Sequence, residues 1–390
     1  MTAALVLLAF VMPLATDMYL PAFPQMTGDL HTDASGVQLT LTAFLVGMGL
    51  GQLILGPLSD RFGRRTPILA GGIACVIATA CCALAPSLGW LVVLRFFQGF
   101  SGAAGVVIGR AVISDVAKGD KAAKLLGVLM TLMGIAPVIA PVVGGAVIEA
   151  ADWRGVFWVL SAASLLALVA AAFAVPESLP PERRHRGGIS ATARAARELL
   201  GDRSYLGHAL CFGMALAVLF CYLAGASFLF QNLLGLDVAQ TAAAFASVGV
   251  VSVAAGIAVT RLVGRFDPTS LLRTGLGVML ACSAALCALS LTHRLNLVVV
   301  LILLYATFAG ISMTSINAAA LALDRVPEAA GTGSAVLGTA QSLLSAVAAP
   351  LVGLGGDHTA IPMFTGMTIA SLIAVTALRL TRTASPTPID

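Results

Sequence analysis

The sequence predicts an all-α integral membrane protein with twelve transmembrane helices in two six-helix repeats. The first observation is composition: of 390 residues, 59% are hydrophobic and 10% are charged, whereas a soluble domain has roughly 25% charged residues. A soluble fold of this length could not cover its surface with so few polar side chains. The 40 Gly and 17 Pro are spread along the chain, which excludes collagen and low-complexity disorder.

The second observation is a series of apolar runs, each about 20 residues long and able to cross a hydrocarbon core of about 30 Å. Alternating runs typical of transmembrane β-strands do not occur in the sequence, so we expect helices. The predicted spans are residues 3–24, 37–57, 66–85, 89–112, 122–148, 154–174, 205–229, 239–262, 271–291, 296–322, 329–352 and 359–380.

The third observation is an internal repeat. A-P-V-V-G at 140–144 recurs as A-P-L-V-G at 349–353, and F-x-G-x-S at 97–101 recurs at 308–312, with offsets of 209 and 211 residues. We therefore predict an N-terminal six-helix bundle over 1–175, a cytoplasmic linker over 176–204 and a C-terminal six-helix bundle over 205–390. Parallel repeats of this kind place a substrate site near the membrane midplane between the halves.

The distribution of Lys and Arg predicts the orientation. Of 22 basic residues, 19 lie in or beside the even-numbered loops and the C-terminal tail; the exceptions are Arg95, Arg154 and Arg294. By the positive-inside rule both termini are cytoplasmic.

The first apolar run lacks a basic flank and is too long for a signal peptide, so we interpret it as an uncleaved helix. The Arg-rich linker is expected to lie on anionic headgroups as a surface helix; the alternative is a platform for a partner.

Two ionisable side chains, Asp17 and Arg95, lie well inside predicted spans. Placing an isolated charged side chain at the bilayer centre costs about 2.5–3.5 kcal/mol of insertion free energy. The presence of each of these two side chains therefore requires an explanation. Each is seven residues from the outer end of its span, so the two share a depth and can pair. One interpretation is a static ion pair that pins two helices.

The other interpretation is a proton-coupling site. Pro13 and Pro21 flank Asp17, and Pro21 has no N–H to donate to the Asp17 carbonyl. Irregular backbone at membrane depth is tolerated where it lines a cavity. Desolvation disfavours a charged carboxylate and a neighbouring cation favours it, so alternating exposure can switch Asp17 between binding and releasing a proton.

An integral-membrane enzyme is the rival class. It would need a metal or nucleophile cluster, but the five histidines lie in loops or at helix ends: His31, His185, His208, His293 and His358. The seven cysteines lie in apolar runs without C-x-x-C spacing, which favours free thiols. No Walker A motif is present in the sequence. We therefore predict no enzymatic activity, no metal and no cofactor, with an ion gradient as the driving force.

A loop motif carries the most specific resemblance. G-P-L-S-D-R-F-G-R-R at 56–65 resembles the motif between spans two and three of the major facilitator superfamily, which implies that family's fold. Its cytoplasmic gate residues here are Gly56, Asp60, Arg61, Gly63, Arg64 and Arg65. Asp60 can face a helix N-terminus such as that of span eleven near Ala329, while the arginines hold carboxylates and headgroups. The alternative is that these arginines are only positive-inside anchors.

Other motifs narrow the resemblance. L-V-V-L-R-F-F-Q-G at 91–99 resembles the family's span-four motif, whose Arg is implicated in proton coupling. The span-five antiporter motif is matched over 134–145 by Pro137, Pro141, Gly144 and Gly145, with Ala140 where the family has Gly. T-D-M-Y-L-P at 16–21, and Asp152-Trp153-Arg154 with Phe157, are similar to Bcr/CflA-type drug exporters.

This resemblance implies a proton-coupled drug efflux transporter in the bacterial inner membrane, monomeric and without a nucleic-acid partner. Some related exporters of cationic drugs carry a second acid where Ala9 stands, which favours neutral or zwitterionic substrates similar to chloramphenicol, florfenicol or bicyclomycin. The alternatives are an exporter or an uptake symporter for a small metabolite. Candidate cavity side chains, for which helix packing is the competing role, are Tyr19, Gln98, Tyr222, Phe228, Gln231 and Asn317.

Overall fold

The computed structural model describes residues 2–117, 120–180, 182, 184, 197, 199, 201–326 and 330–383. Within them the fold is helical, apart from a single β-bridge between Val263 and Phe266. The first seven helices are α1 Thr2–Asp17, α2 Phe23–Asp29, α3 Ala34–Phe62, α4 Arg65–Ala83, α5 Leu88–Val116, α6 Asp120–Ala150 and α7 Trp153–Ala174. The next six are α8 Arg203–Phe228, α9 Val238–Leu262, α10 Pro268–Leu291, α11 Leu297–Leu323, α12 Ala330–Val352 and α13 Ile361–Ala377.

These helices confirm the predicted all-α membrane architecture. Within the described residues, eleven helical segments are long and apolar enough to cross a membrane, counting 3–29 as one, and α13 is an apolar helix of 17 residues. Together they coincide with the twelve predicted spans. Large apolar side chains such as Phe173, 88% exposed, lie on the outside of the molecule, as a lipid-facing surface requires. The predicted surface helix of the linker falls mostly outside the described residues.

Several helices begin where an Asx side chain caps the first turn. The Asp33 carboxylate accepts from the Gly36 N–H at 2.8 Å, and that of Asp267 accepts from the Ser270 N–H at 2.9 Å. These caps satisfy backbone donors that the helix itself leaves free. The capping side chains therefore fix the residues at which these helices begin.

Span one is broken in its C-terminal part. α1 ends at Asp17, Met18 and Tyr19 form a turn, Leu20–Ala22 is a 3₁₀ turn, and α2 continues from Phe23. Pro21 lies at the centre of the 3₁₀ turn and cannot donate the backbone hydrogen bond that would continue the helix. The sequence prediction of irregular backbone beside Asp17 is confirmed.

By its internal contacts the chain divides into two compact units. The first comprises residues 1–189, 226–250 and 356–358, and the second comprises 190–225, 251–355 and 359–390. The boundary at residue 226 falls inside α8. The bundle boundaries derived from the internal repeat remain a prediction.

Within each unit, glycines permit close helix packing. A Cβ added to Gly99 of α5 would collide with the Phe44 carbonyl of α3, so these two backbones touch. In the second unit, a Cβ on Gly310 of α11 would lie 2.8 Å from the Gly275 carbonyl of α10. Small residues are what allow such approach between membrane helices.

Candidate functional site

Asp17 is the last residue of α1, at the start of the break in span one. Its side chain is buried, with 5% of the residue exposed. Among the residues that the structure describes, its carboxyl group has no hydrogen-bond or ion-pair partner. A largely buried acid without a partner among the described residues is costly in a structural role, which makes Asp17 a candidate functional residue.

The backbone carbonyls of the break are satisfied by side chains from other helices. Ser227 Oγ, on α8, donates to the Leu20 carbonyl at 2.5 Å. Gln231 Nε2 donates to the Pro21 carbonyl at 2.8 Å. Gln231 lies in a π-helical turn, Leu229–Leu233, that follows α8; such turns are frequent at functional sites. Polar side chains of α8 and of the π-helical turn therefore bind two backbone carbonyls of the broken segment.

Arg95 lies fully buried on α5 at the level of this break. Its Nη1 donates to the Ala15 carbonyl at 3.0 Å and to Gln98 Oε1 at 2.6 Å. Nε and Nη2 have no hydrogen-bond partner among the described residues. Instead, the guanidinium carbon lies 4.4, 4.3 and 5.7 Å from the ring centroids of Tyr19, Phe44 and Phe157. Aromatic faces stabilise a buried cation.

The predicted pairing of Asp17 with Arg95 is wrong for this structure. The two residues share a depth, because Arg95 contacts both Ala15 and Tyr19. Arg95 reaches span one through the Ala15 backbone carbonyl and the Tyr19 ring. Within the described residues no ion pair joins it to Asp17. The guanidinium consequently binds a backbone carbonyl in place of the carboxylate.

A chain of hydrogen bonds continues from Arg95 to α4. Gln98 Nε2 donates to Thr79 Oγ1 at 2.9 Å, and Thr79 Oγ1 donates to the Cys75 carbonyl at 2.7 Å. Both side chains are fully buried. Sequence reasoning missed Thr79, because a lone Thr in an apolar span has no distinguishing pattern.

The candidate cavity residues fall in both units. In the first, Tyr19 is fully buried with its hydroxyl 3.2 Å from Thr40 Oγ1, and the Phe228 ring lies 6.2 Å from that of Phe23. Together with the contacts of Gln98 and Gln231 given above, these are packing and hydrogen-bonding roles within one unit.

In the second unit, Asn317 Nδ2 donates to the Met313 carbonyl of its own helix at 2.8 Å. The Tyr222 ring packs edge to face on Phe308, with centroids 5.1 Å apart. These are the contacts expected if Asn317 and Tyr222 serve in helix packing, the role that competes with substrate binding. Substrate contact by any of the six candidates stays a prediction.

The antiporter motif of α6 packs directly on the break. Pro137 and Pro141 lie inside the helix. A Cβ on Gly144 would collide with the Met18 carbonyl, and a Cβ on Gly145 would lie 2.8 Å from Ala242 Cβ. The two glycines therefore bring the α6 backbone against span one beside Asp17 and against α9.

Arg64 is the centre of the loop motif between α3 and α4. Nη1 donates to Asp60 Oδ1 at 2.5 Å and to Ser59 Oγ at 2.7 Å, and Nε donates to Asp115 Oδ2 at 3.0 Å. The residue is 8% exposed. Asp60 thus binds the arginine of its own loop, and the start of span eleven at Ala329, its expected neighbour, lies outside the described residues.

Glu177, after α7, is a second member of this cluster that sequence reasoning did not single out. Its Oε1 accepts from the Arg64 and Leu179 N–H groups at 2.8 and 3.0 Å, and Oε2 accepts from the Arg65 N–H at 3.2 Å. Burial acts to raise the Glu177 pKa, but these bonds and the nearby Arg184 outweigh it, so the pKa lies below its ordinary value.

The remaining loop residues have defined places. Gly63 adopts φ +92°, and a Cβ there would collide with Glu177 Oε2. Arg65 Nη2 donates to the Ala172 carbonyl at 2.9 Å. The Arg61 guanidinium lies 5.3 Å from the Phe62 ring centroid, and a Cβ on Gly56 would lie 3.3 Å from Val107.

The span-six entry motif joins α2 and α7 at one end of the first unit. Asp152 caps α7 by accepting from the Arg154 and Gly155 N–H groups at 2.7 and 3.1 Å. Trp153 Nε1 donates to Asp29 Oδ2 at 2.9 Å. This bond ties the end of α2, and thus the C-terminal part of span one, to α7.

The family comparison agrees with this arrangement of spans and motifs. Residues 5–350 match the model of the Major Facilitator Superfamily. The chain belongs to the major facilitator superfamily. The relatives and structural neighbours of this superfamily member are named as membrane transporters and resistance proteins, and none of those described below is named as an enzyme.

Three curated relatives illustrate its place in the superfamily. An uncharacterized MFS-type transporter, YdgK of Bacillus subtilis, is 36% identical over 94% of this chain and 91% of its own length. A bicyclomycin resistance protein homolog of Haemophilus influenzae is 31% identical over 95% and 93%. The multidrug resistance protein MdtL of Escherichia fergusonii is 27% identical over 94% and 93%. The last two names agree with the Bcr/CflA-type resemblance.

Solved structures share the fold at low sequence identity. A D-xylose–proton symporter has a TM-score of 0.78 and 16% identity over 99% of this chain and 97% of its own. A bacterial homolog of the human lysosomal transporter Spinster, in an inward-facing and unoccupied conformation, has a TM-score of 0.77 and 18% identity over 99% and 98%. These similarities concern the fold alone.

Proposed function

We propose that this protein exports small neutral or zwitterionic amphipathic drugs across the bacterial inner membrane in exchange for protons, by alternating access. The proton carrier is Asp17, and Arg95 modulates its proton affinity. The observation that carries the proposal is the buried Asp17 carboxyl group, which has no partner among the described residues. Both termini are cytoplasmic in this proposal, and the functional unit is a monomer.

The chemistry requires an acid that changes its charge without losing a structural bond. A carboxylate held in a buried ion pair cannot be protonated unless the pair is broken, which costs about 3–5 kcal/mol. Among the described residues Asp17 has no such pair, so protonation leaves the described contacts of span one intact. Arg95 supplies a fixed positive charge at the same level, which favours the deprotonated form whenever movement of span one brings the two closer.

The driving force is the membrane potential together with the proton gradient. One charge crossing about 100 mV supplies about 2.3 kcal/mol, which sustains a concentration ratio of roughly 50-fold. Exchange of one proton for one neutral drug molecule therefore supports export against a useful gradient without ATP.

The substrate class rests on two supports. The relatives named as bicyclomycin resistance and multidrug resistance proteins suggest drugs, and Ala9 in place of a second acid favours neutral or zwitterionic ones similar to chloramphenicol, florfenicol and bicyclomycin. The Arg64 cluster serves in the proposal as the cytoplasmic gate, because one arginine joins the ends of α3, α4 and α5.

The test is Asp17→Asn in proteoliposomes that contain a pH-sensitive dye, with bicyclomycin and chloramphenicol as probes. We expect drug-driven proton movement to fall by at least about 100-fold, equivalent to about 2.7 kcal/mol of lost coupling. Asp33→Asn is the matched control, because Asn caps a helix as well as Asp does.

Full antiport by Asp17→Asn would refute the assignment of the proton carrier. Drug that enters the vesicles together with protons, where exchange is expected, would support the uptake symporter in its place. Both results require that the unmodified protein transports one of the two supplied probes, but neither requires that the natural substrate be known.

A further inference from the structure

The hydrogen-bond chain behind Arg95 has a fixed direction. The Thr79 hydroxyl carries one proton, which it donates to the Cys75 carbonyl at 2.7 Å. Its oxygen is then an acceptor, and it receives the Gln98 amide N–H at 2.9 Å. With its NH₂ group turned toward Thr79, the Gln98 amide presents its oxygen to Arg95 at 2.6 Å.

The opposite orientation of this amide would be unfavourable. A reversed Gln98 would place an NH₂ group against the Arg95 guanidinium, which has only donors. Nη1 would then keep one acceptor, the Ala15 carbonyl, in a fully buried setting. A buried donor without an acceptor loses its full hydration free energy, and Arg95 Nε and Nη2 already lack acceptors among the described residues, so losing the Gln98 acceptor as well would add to the cost of burying this guanidinium.

We propose that Thr79 is a positioning residue for Arg95. By accepting from Gln98 it determines which end of that amide faces the guanidinium, and it thereby holds Arg95 against the Ala15 carbonyl at the break in span one. The inference rests on the proposed function for its effect on transport, since Arg95 is there assigned to proton coupling. The hydrogen-bond chain itself is independent of that function.

The hydrogen-bond chain from Arg95 to Thr79 is tested first without a transport assay, by a double-mutant cycle on the purified full-length protein. Thermal unfolding in detergent is measured for Thr79→Val, Gln98→Leu and the double variant. We expect the double variant to lose less stability than the two single variants together, because either change alone breaks the same hydrogen bond. Strictly additive losses would overturn the assignment of Thr79 as the partner that orients Gln98.

The second test measures drug-driven proton movement and bicyclomycin affinity in the same variants. Thr79→Val removes the hydroxyl but keeps a β-branched side chain, and we expect the rate to fall about tenfold with the bicyclomycin dissociation constant unchanged within about twofold. Thr79→Ser keeps the hydroxyl, and it should restore the rate to within about twofold of the original protein.

Thr307→Val is the matched control. Thr307 is a fully buried threonine on α11 whose hydroxyl donates to the Leu303 carbonyl four residues back at 2.8 Å, just as that of Thr79 does to Cys75. If Thr307→Val slows proton movement as much as Thr79→Val, or if Thr79→Ser fails to rescue, the positioning role is refuted. If the unmodified protein moves no protons with drug, the proposed function fails, while the double-mutant cycle still decides the hydrogen-bond chain.

Discussion

The two copies of F-x-G-x-S, on α5 and α11, show how one repeated motif serves two purposes. The glycine of each copy brings two helix backbones into contact: Gly99 meets the Phe44 carbonyl of α3, and Gly310 meets the Gly275 carbonyl of α10. The same glycine thus packs on the second helix of its repeat in one copy and on the third in the other. Both copies pack closely against another helix, but the position of that neighbouring helix in the repeat differs between them.

The polar content of the two helices differs more sharply. Arg95 and Gln98 of α5 correspond, at the offset of 211 residues, to Ala306 and Ala309 of α11. Arg95 binds a carbonyl of another helix, whereas Asn317 of α11 binds a carbonyl of its own helix. The comparison indicates that close helix packing is common to both copies of the motif, while the buried cation and its hydrogen-bond chain are found at the first copy and not at the corresponding alanines of the second.

Loss of the cation should have the largest effect. Arg95→Met keeps an unbranched, although shorter, side chain and leaves the Ala15 carbonyl and Gln98 Oε1 without the Arg95 donor. We expect drug-driven proton movement to fall by at least about 100-fold. Asn317→Leu, which removes a bond within one helix, should lower it less than about fivefold. Equal losses in the two variants, measured in proteoliposomes, would break the contrast between the two copies.

Filling the packing glycines should have an intermediate effect, and the same one in both copies. Gly99→Val and Gly310→Val each force a side chain into a backbone contact, so each should destabilise the protein by about 1–3 kcal/mol or more. Thermal unfolding in detergent measures this. Gly134→Ala on α6, where an added Cβ meets nothing within 4 Å, is the control. A large loss of stability for one of the two valine variants with none for the other would show that close packing at the two glycines does not contribute equally to stability.

The smallest effect should come from the loops that follow α3 and α9. Gly63 and Gly264 both adopt positive φ, but a Cβ on Gly63 meets Glu177, and a Cβ on Gly264 meets nothing within 4 Å. Glu177→Gln should destabilise the protein at pH 7 by less than about 1 kcal/mol, since solvent screens a partly exposed carboxylate.

The pH dependence of this effect has a defined sign. Because the pKa of Glu177 is lowered in the folded protein from the ordinary value of 4.5, its stabilisation is present above pH 4.5 and is lost as the pH falls through the folded value. The unfolding midpoints of Glu177→Gln and the unmodified protein should therefore converge on acidification below that pH. A difference that grows on acidification would contradict the role of the carboxylate.

Composition, periodicity and motifs were sufficient to predict the fold. Uniform apolar runs make each span recognisable by itself, because a helix in lipid satisfies its own backbone and needs no partner to form. Pro21 likewise marked the break in span one, since a proline cannot donate whatever surrounds it. The family resemblance followed from contiguous residues of the loop between α3 and α4.

Side-chain pairing could not be predicted in the same way. Asp17 and Arg95 were correctly placed at one depth, but counting residues along two separate helices does not give the rotation of either helix about its axis. The structure turns Ala15 and Tyr19 toward Arg95, and the expected ion pair is replaced by a carbonyl contact and aromatic rings. Thr79 and Glu177 have no motif of their own and acquire their roles only from neighbours distant in the sequence.

The sequence by itself determined that this chain spans a membrane with twelve helices, which residues in those spans are charged, and where one helix must break. These are local properties, set by the hydration free energy of each segment and by the missing N–H of proline. The tertiary structure decided which partner each buried polar group receives. That choice depends on hydrogen-bond geometry at 2.6–3.0 Å across α1, α4 and α5, and it leaves Arg95 bound to a backbone carbonyl and the Asp17 carboxyl group unpartnered among the described residues.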